Sequence, residues 1–330
     1  MTDPSKPVGL DESTFIAALL TAVCRSSLVL APGFLCDAPS FSGAGTGKGL
    51  LVRAICIVAS GAPPSAFTTG HDGDEFDKRL TSALVRARPA VFLDNFNAKE
   101  LRSDILASAL TENPCEVRVL GQTKMVPLHV RTFIGITGNG VQPAEDMARR
   151  LIVARLDARM ENPEERPFKD GFLENVLGAR AVLLTDALTI WRWGRQNKDV
   201  ILRGRPIGSF EVWAQWVRDP LIALGLHDPI ERVAEIKTAD PKRQEIITVF
   251  DAWWEAHRGD PVKADDLDMG VSRLIPGALK FDNTINRQRV AGWLGQSTGT
   301  RVAGYSLFKY SDPLSPKSKP VALYKLSKDD

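Results

Sequence analysis

The 330-residue chain is poor in the side chains that build metal centres and disulfide frameworks. It has four cysteines and four histidines, no Cys-x-x-Cys pair, and no histidine at metal-ligand spacing from a cysteine. This pattern predicts reduced, buried thiols rather than a zinc site. A membrane-spanning run is also missing, because the apolar stretch at residues 15–23 is too short and has helical spacing. We therefore expect a cytoplasmic protein without membrane contact.

An excess of charge of one sign is missing as well. The 42 Lys and Arg face 40 Asp and Glu, and the composition is 44% hydrophobic and 25% charged, as in globular proteins. The balance hides an asymmetry, since residues 269–330 contain ten Lys and Arg against four Asp and Glu. A basic terminal segment is typical of nucleic-acid binding. The length suggests two domains, with room for a small third element.

Apolar runs alternate with helical segments in the first half of the chain. The runs at 33–36, 89–94 and 133–137 are continuous, which is typical of strands buried on both faces. They predict an α/β fold with a parallel sheet sandwiched by helices. The pattern turns helical at about 167–227, and a polar stretch at 234–242 predicts a domain boundary.

A glycine-rich loop joins the first of these strands to a helix predicted over residues 50–60. Glycines in such a loop let successive backbone N–H groups point at phosphates, and a lysine reaches the β- and γ-phosphates. The residues predicted to bind ATP are Gly43, Ala44, Gly45, Thr46, Gly47, Lys48 and Gly49. Ser42 replaces the usual first glycine, and Gly49 replaces the Ser or Thr whose hydroxyl binds Mg²⁺. A structural glycine-rich turn is the alternative.

The run Val91-Phe92-Leu93-Asp94 resembles a Walker B strand, which delivers a carboxylate that holds Mg²⁺ through water. Asp94 is therefore the predicted metal ligand. Asn95 follows where many ATPases carry the glutamate that polarises the attacking water, and an amide orients water but takes no proton. Glu75 is another carboxylate that would substitute, although a solvated pair with Arg79 is the simpler interpretation.

Three further polar residues belong to this predicted nucleotide site. Asn139 ends the strand at 133–137 and is predicted to contact the γ-phosphate as sensor 1, with a turn asparagine as the alternative. Arg149 and Arg150 precede the next strand. They are predicted to act as arginine fingers on the nucleotide of a neighbouring subunit, with a surface basic pair as the alternative.

In this order, the motifs SGAGTGKG, AVFLDNF, VRVLGQTKM, FIGITGN and DMARR resemble those of AAA+ ATPases of helicase superfamily 3. The similarity, over about residues 34–157, is to the poxvirus-type primase–helicase proteins of phages, plasmids and integrated elements. It implies a DNA helicase or translocase that depends on ATP and Mg²⁺ and serves the replication of a mobile element. It also implies a homo-oligomeric ring, which we expect to be a hexamer. The family's primase domain is absent from these residues, which implies a separate primase or a helicase-only version.

The resemblance also implies a hairpin before sensor 1 that grips single-stranded DNA in the ring channel. Lys124 takes the position of the basic gripping residue, with Arg118 and Gln122 close by. Contacts of this kind reach phosphates and add affinity without sequence information. An exposed turn lysine is the alternative interpretation of Lys124.

Helices followed by two β-like segments predict a C-terminal winged helix, a module frequent in this family. Arg287 and Arg289 on a recognition helix at 285–294 would contact duplex DNA, and Lys317 and Lys319 would form the wing. A winged helix used for a partner protein is the alternative. The predicted organisation is an N-terminal helical segment, an ATPase core, a helical lid or connector and the winged helix, at 1–30, 31–166, 167–238 and 239–330.

Three functions remain open at this stage. The first is the ring helicase or translocase. Gly49 and Asn95 motivate the second, a nucleotide-switched DNA-binding initiator or loader with weak ATPase activity. The third is a small-molecule phosphotransferase with an adenylate-kinase-like loop, in which the hairpin and the two arginines would have no purpose.

Overall fold

A computed structural model describes residues 6–68, 73–96, 100–118, 124–166, 170–238, 240–313, 315–316 and 321–329. The chain divides into two compact units, Met1–Ile236 and Lys237–Asp330. Across the described ranges, every helix is too short or too polar to cross a membrane. All four cysteines are buried free thiols, and burial raises the pKa of Cys24, Cys36 and Cys56 to about 12.

The first unit contains one main sheet. Its described strands are β1 (Gly33–Asp37), β2 (Ala66–Phe67), β3 (Ala90–Phe96), β4 (Glu100–Leu101), β5 (Cys115–Arg118), β6 (Met125–Leu128), β7 (Phe133–Gly138), β8 (Gln142–Pro143) and β9 (Leu151–Arg155). Five of them form the main sheet in the order β2-β3-β7-β1-β9, and all its pairings are parallel. Strands β4 and β8 pair in parallel, and β5 and β6 form the predicted antiparallel pair.

The described helices of the first unit are α1 (Leu10–Cys24), α2 (Lys48–Ser60), α3 (Gly73–Val85), α4 (Asp104–Thr111), α5 (Glu145–Ala148), α6 (Phe172–Gly178), α7 (Arg180–Gln196), α8 (Glu211–Trp213), α9 (Asp219–Ala223) and α10 (Glu231–Thr238). A π-helical turn, Ala214–Arg218, joins α8 to α9. Trp213, in α8, is fully buried, and its ring nitrogen donates to Thr21 Oγ1 at 2.8 Å. This bond ties the helical region to α1.

Helices cover both faces of the sheet. A Cβ added to Gly135 of β7 would lie 2.7 Å from a methyl carbon of Val52 in α2. Gly135 pairs with Phe34, the next residue after Gly33 in β1, and a Cβ added to Gly33 would lie 3.6 Å from Leu110 in α4. Because neighbouring residues of a strand point to opposite faces, α2 and α4 lie on opposite sides. The predicted α/β class with a parallel sheet between helices is confirmed.

The structure shifts some predicted boundaries. The helix after the loop begins at Lys48 rather than at residue 50, because Gly47 takes a left-handed conformation and serves as its N-cap. Glycine at position 49 is a poor helix former, which is why the sequence suggested a later start. Helix α5 ends at Ala148, because Leu151 already pairs with Gly33 in the sheet.

The second unit has its own core. Its described elements are α11 (Pro241–His257), β10 (Val262–Lys263), α12 (Met269–Leu274), α13 (Arg287–Ser297), β11 (Arg301–Val302), β12 (Tyr305–Ser311) and β13 (Ala322–Lys328). The strands form an antiparallel sheet in the order β10-β13-β12-β11. Phe250, Trp253, Val290 and Leu307 are fully buried in this core.

Candidate nucleotide-binding site

The glycine-rich loop lies at the carboxyl end of β1 and leads directly into α2. Gly45 and Gly47 have φ values of +66° and +95°, in the left-handed region that favours glycine. The first turn of α2 therefore opens on the loop. Backbone N–H groups without an intrahelical partner and the positive end of the helix dipole favour an anion at this place.

The side chain of Lys48 folds back over the loop. Its Nζ donates to the carbonyl of Gly43 at 2.5 Å and to Thr46 Oγ1 at 3.0 Å. Burial lowers the pKa of the Lys48 ammonium, and the nearby charges of Asp37 and Asp94 act in the opposite direction. A half-buried ammonium held by uncharged oxygens gains stronger hydrogen bonds when phosphate oxygens replace them.

Asp94 meets the tip of the neighbouring strand β7. Thr137 Oγ1 donates to Asp94 Oδ1 at 2.8 Å and accepts the backbone N–H of Asn95 at 3.0 Å. Asn95 is exposed and has a φ of +59°. Sequence reasoning gave Thr137 no role, although a hydroxyl residue at the end of an apolar strand was a visible signal. This hydroxyl orients the carboxylate and anchors the backbone after it.

Arg53, in α2, is a second residue that sequence reasoning missed. Its Nη2 lies 3.3 Å from Asp94 Oδ2, and its guanidinium lies 5.0 Å from the centre of the Phe92 ring. Arg53 follows Gly49 by four residues, so both lie on the same face of the helix. That spacing was the signal that could have identified it.

Asn139 reaches the loop from the end of β7. A Cβ added to Gly43 would collide with Asn139 Oδ1 and with the carbonyl of Pro39, so only glycine allows this approach. Asn139 Oδ1 is buried and has no hydrogen-bond partner within the described ranges. Burying an amide oxygen without a partner costs about 1–3 kcal/mol, so this atom marks a polar site that a ligand or water can complete.

The segment after β9 covers one side of the loop. A Cβ added to Gly45 would lie 2.5 Å from Glu164 Cα. Arg166 Nη2 donates to the carbonyl of Thr46 at 3.4 Å. These contacts hold the loop against the main chain of residues 163–165, a 3-10 turn.

The two predicted finger arginines lie at the opposite edge of the sheet. The carbonyl of Arg150 accepts the N–H of Gly33, where β1 begins. The five residues of β1 then separate this edge from the loop by about 13 Å. Arg150 pairs with Asp146 at 2.7 Å and its side chain is only 14% exposed, whereas Arg149 is exposed. The structure therefore brings neither arginine to the chain's own loop.

The described residues do not fit a magnesium ion at Asp94. At a nucleotide, Mg²⁺ is bound by one or two protein oxygens together with oxygens of phosphate and water. Gly49 offers no hydroxyl, and both oxygens of Asp94 are engaged, by Thr137 and Arg53. Glu75, the other candidate carboxylate, pairs with Arg79 at 3.1 Å.

The predicted DNA-binding residues of the first unit lie on the β5–β6 pair. Arg118 pairs across the strands with Met125, and Lys124 is exposed just before β6. Gln122 lies outside the described residues. The exposure of Lys124 fits both the gripping role and a simple turn lysine.

In the second unit, Arg287 bonds to neighbouring segments of its own chain. It is half-buried at the start of α13, and its Nη1 donates to the carbonyl of Leu267 and to Ser272 Oγ, both at 3.2 Å. These bonds link the start of α13 to α12 and the segment before it, and contact of Arg287 with DNA stays a prediction. Arg289 is exposed. Lys317 and Lys319 lie outside the described residues.

No protein-family model and no curated protein matches the chain. Among solved structures, it is similar to the apo A form of the NrS-1 C-terminal region (13% identity, 96% of this chain and 71% of that one, TM-score 0.45). It is also similar to the active helicase Cch of SCCmec type IV (12% identity, 97% and 67%, TM-score 0.39). A third similar structure is JCV helicase with a bound small molecule (12% identity, 74% and 65%, TM-score 0.30). These TM-scores are below 0.5, and the function proposed next is inferred from the chain's own residues.

Proposed function

We propose that this chain is an ATP-dependent DNA helicase or translocase of the superfamily 3 AAA+ type. The observation that carries this proposal is the convergence of the loop, Asp94 and Asn139 at one edge of the sheet. They follow or end β1, β3 and β7, which are neighbours in the sheet. A phosphate cradle flanked by a carboxylate and a polar amide is typical of nucleoside triphosphate hydrolases.

Lys48, Asn139 and Asn95 have distinct roles in this proposal. Lys48 and the first turn of α2 bind the β- and γ-phosphates. Asn139 contacts the γ-phosphate through its amide. Asn95, exposed at the end of β3, orients the water that attacks the γ-phosphorus, and the β–γ anhydride breaks to give ADP and phosphate. Because Asn95 takes no proton, we expect slow hydrolysis.

The proposal extends to a ring of subunits, expected to be hexameric. Arg149 is exposed at the sheet edge away from its own loop, which fits a role at a nucleotide held by another subunit. In the ring, Lys124 of each hairpin would contact single-stranded DNA, and Arg289 of the C-terminal unit would contact duplex DNA or a partner protein. We place this activity in the replication of a mobile element.

A specific observation supports a second candidate function. Gly49 removes the metal-binding hydroxyl, and Arg53 is paired with Asp94. Both features fit a nucleotide-switched initiator or loader that binds DNA, assembles with ATP and hydrolyses it weakly.

DNA-stimulated ATPase activity and strand separation, measured for the wild type and for Lys48→Ala, test the proposal. We expect the substitution to lower ATPase by about 100-fold or more, the usual cost of removing a group that stabilises transition-state charge. Lys78→Ala is the matched control, because Lys78 is exposed on α3 outside the loop. Mass photometry with ATP and single-stranded DNA reports the ring.

The outcomes separate the candidates. A wild type without ATPase activity in the presence of DNA contradicts the motor. ATP-dependent oligomers that bind DNA without unwinding it favour the initiator. A monomer that turns over ATP equally well without DNA indicates a phosphotransferase instead.

A further inference from the structure

Arg53 occupies the part of the loop region where a phosphate-loop enzyme places its metal. A Cβ added to Gly49 would lie 2.7 Å from Arg53 Nη1 and 3.7 Å from Asp94 Oδ1. A Ser or Thr hydroxyl at position 49, one bond further out, would therefore lie beside both groups. The hydroxyl and the carboxylate are the two protein ligands of the metal in such enzymes. In this chain, the place between position 49 and Asp94, where those two ligands would meet a metal, is next to the Arg53 guanidinium.

The guanidinium is held there by two contacts. It pairs with Asp94 Oδ2 at 3.3 Å and lies over the face of the Phe92 ring, which favours a cation through the ring quadrupole. The side chains of Arg53 and Asp94 are 30% and 33% exposed. The pair is thus fixed in place and still open to a ligand entering from the loop.

Gly49 and Arg53 are complementary in size, because the small residue leaves room for the large side chain. A larger side chain at 49 would press on Nη1 of Arg53, so the glycine that removes the metal-binding hydroxyl also makes room for the guanidinium. Arginine carries a positive charge and presents a planar fork of donors that matches phosphate oxygens. It therefore supplies a permanent positive charge where a hydrated metal would supply an exchangeable one.

We propose that Arg53 is a binding residue for the nucleotide phosphates and the built-in counter-cation of Asp94, so that a nucleoside triphosphate binds this chain without requiring Mg²⁺. The inference rests on the proposed function, because it presupposes that the loop binds such a nucleotide. Beyond that function, the inference names Arg53 as the group whose positive charge balances the negative charges of the phosphates and of Asp94.

Fluorescence titration of the full chain with mant-ATP, in excess Mg²⁺ and in excess EDTA, tests the proposal. We expect wild-type dissociation constants in the two buffers to agree within about threefold. In Arg53→Ala, removal of Mg²⁺ is expected to weaken mant-ATP binding by about tenfold or more. The negative charge of Asp94 then repels the phosphates without a neighbouring cation. Arg53→Lys, which keeps the charge without the fork, should fall between them.

Two further variants sharpen the result. Gly49→Ser combined with Arg53→Ala restores the hydroxyl and frees the carboxylate, so it should show the strongest dependence on Mg²⁺. Arg102→Ala is the control, because it removes an arginine from an exposed pair with Glu100 and causes the same change of net charge. Circular dichroism of each variant verifies folding.

Wild-type binding that weakens more than about tenfold in EDTA, with Arg53→Ala behaving identically, would overturn this inference alone. A wild type that binds mant-ATP in neither buffer would overturn the proposed function, and the inference with it. Wild-type binding that is indifferent to EDTA, together with a Mg²⁺-dependent Arg53→Ala, supports both.

Discussion

Two arginine–aspartate pairs in the first unit contain the same chemical groups in different surroundings. Arg218 and Asp219 approach to 2.8 Å and are 1% and 5% exposed. Arg53 and Asp94 are 3.3 Å apart and about one-third exposed. The first pair is closed off from solvent, and the second is accessible beside the glycine-rich loop.

The two pairs also differ in the hydrogen bonds that they make to the backbone. Arg218 Nη1 donates to the carbonyl of Arg205 at 2.7 Å, and Asp219 Oδ1 accepts the N–H of Gly204 at 3.3 Å. The buried pair thus has backbone partners on both sides. Within the described ranges, Arg53 has Asp94 as its hydrogen-bond partner, while a guanidinium has five N–H donors. The buried pair belongs to the fold, and the accessible one has donors to offer a ligand.

The largest effect should come from breaking the buried pair. Arg218→Ala leaves the Asp219 carboxylate buried without its cation and leaves the carbonyl of Arg205 without this donor. We expect it to lower the free energy of unfolding by about 3–5 kcal/mol, the usual cost of removing one partner of a buried pair. Urea denaturation followed by circular dichroism measures this loss.

The double variant Arg218→Met/Asp219→Asn is the control for that measurement. It leaves no buried charge, and the new amide still accepts the N–H of Gly204. It should therefore cost less than the single variant, since breaking a buried pair is more harmful than replacing it. Equal losses in both proteins would show that packing, and not the orphaned charge, causes the instability.

Asp37, a buried carboxylate on β1, extends the comparison to a third acidic residue, for which we expect an effect on stability between those of the two pairs. Asp37 is 5% exposed, and its Oδ1 accepts the N–H of Val141 at 3.1 Å. Burial raises its pKa above the ordinary 3.8, so the folded protein binds this proton more tightly than the unfolded chain. Stability contributed by the protonated carboxyl is complete below pH 3.8 and is lost as pH rises through the raised pKa.

Asp37→Asn removes this ionisation and keeps an acceptor for Val141. At about pH 7.5 we expect the variant to be more stable than the wild type by about 0.5–2 kcal/mol, the range of typical stabilising substitutions. The advantage should shrink as pH falls towards about 4.5, which urea titrations at several pH values will show. Asp37→Ala, which loses the acceptor, should lack this gain. An advantage that is independent of pH would contradict the electrostatic cause.

Local patterns predicted the framework of the site because its parts follow strand ends. The loop, Asp94 and Asn139 each come after or within an apolar run, and carboxyl ends of parallel strands meet at one edge of a sheet. The antiparallel β5–β6 pair was predictable for another reason, because two short alternating segments flank a glycine-containing turn in the sequence. The pair of Asp146 with Arg150 has i,i+4 spacing, so it was available to sequence reasoning although it was not recognised.

Contacts between distant segments were beyond sequence reasoning. Arg53 and Asp94 are 41 positions apart and belong to a helix and a strand that meet only in the folded unit. The bonds of Arg287 to Leu267 and Ser272 likewise depend on how α13 packs. Gly49 illustrates the difference. The sequence shows that this position lacks the metal-binding hydroxyl, whereas the structure shows that the absent side chain leaves room for the Arg53 guanidinium.

The smallest effect on stability should come from breaking the accessible pair. Arg53→Ala leaves Asp94 one-third exposed, where water can solvate it while Thr137 still donates to its other oxygen. We expect the free energy of unfolding to change by at most about 1 kcal/mol, as for other exposed pairs, and this difference to shrink at high salt. Urea titrations at low and high ionic strength, run beside Arg218→Ala, give the comparison directly.

A loss of several kcal/mol in Arg53→Ala would place this pair in the same class as Arg218 and Asp219. Its guanidinium would then be committed to holding α2 against β3, and a phosphate could not recruit it without loosening the unit. A small change, by contrast, means that the protein keeps a positive charge beside its loop at little benefit to its own stability. In that case a change in nucleotide affinity on substituting Arg53 reports on the phosphates rather than on the fold.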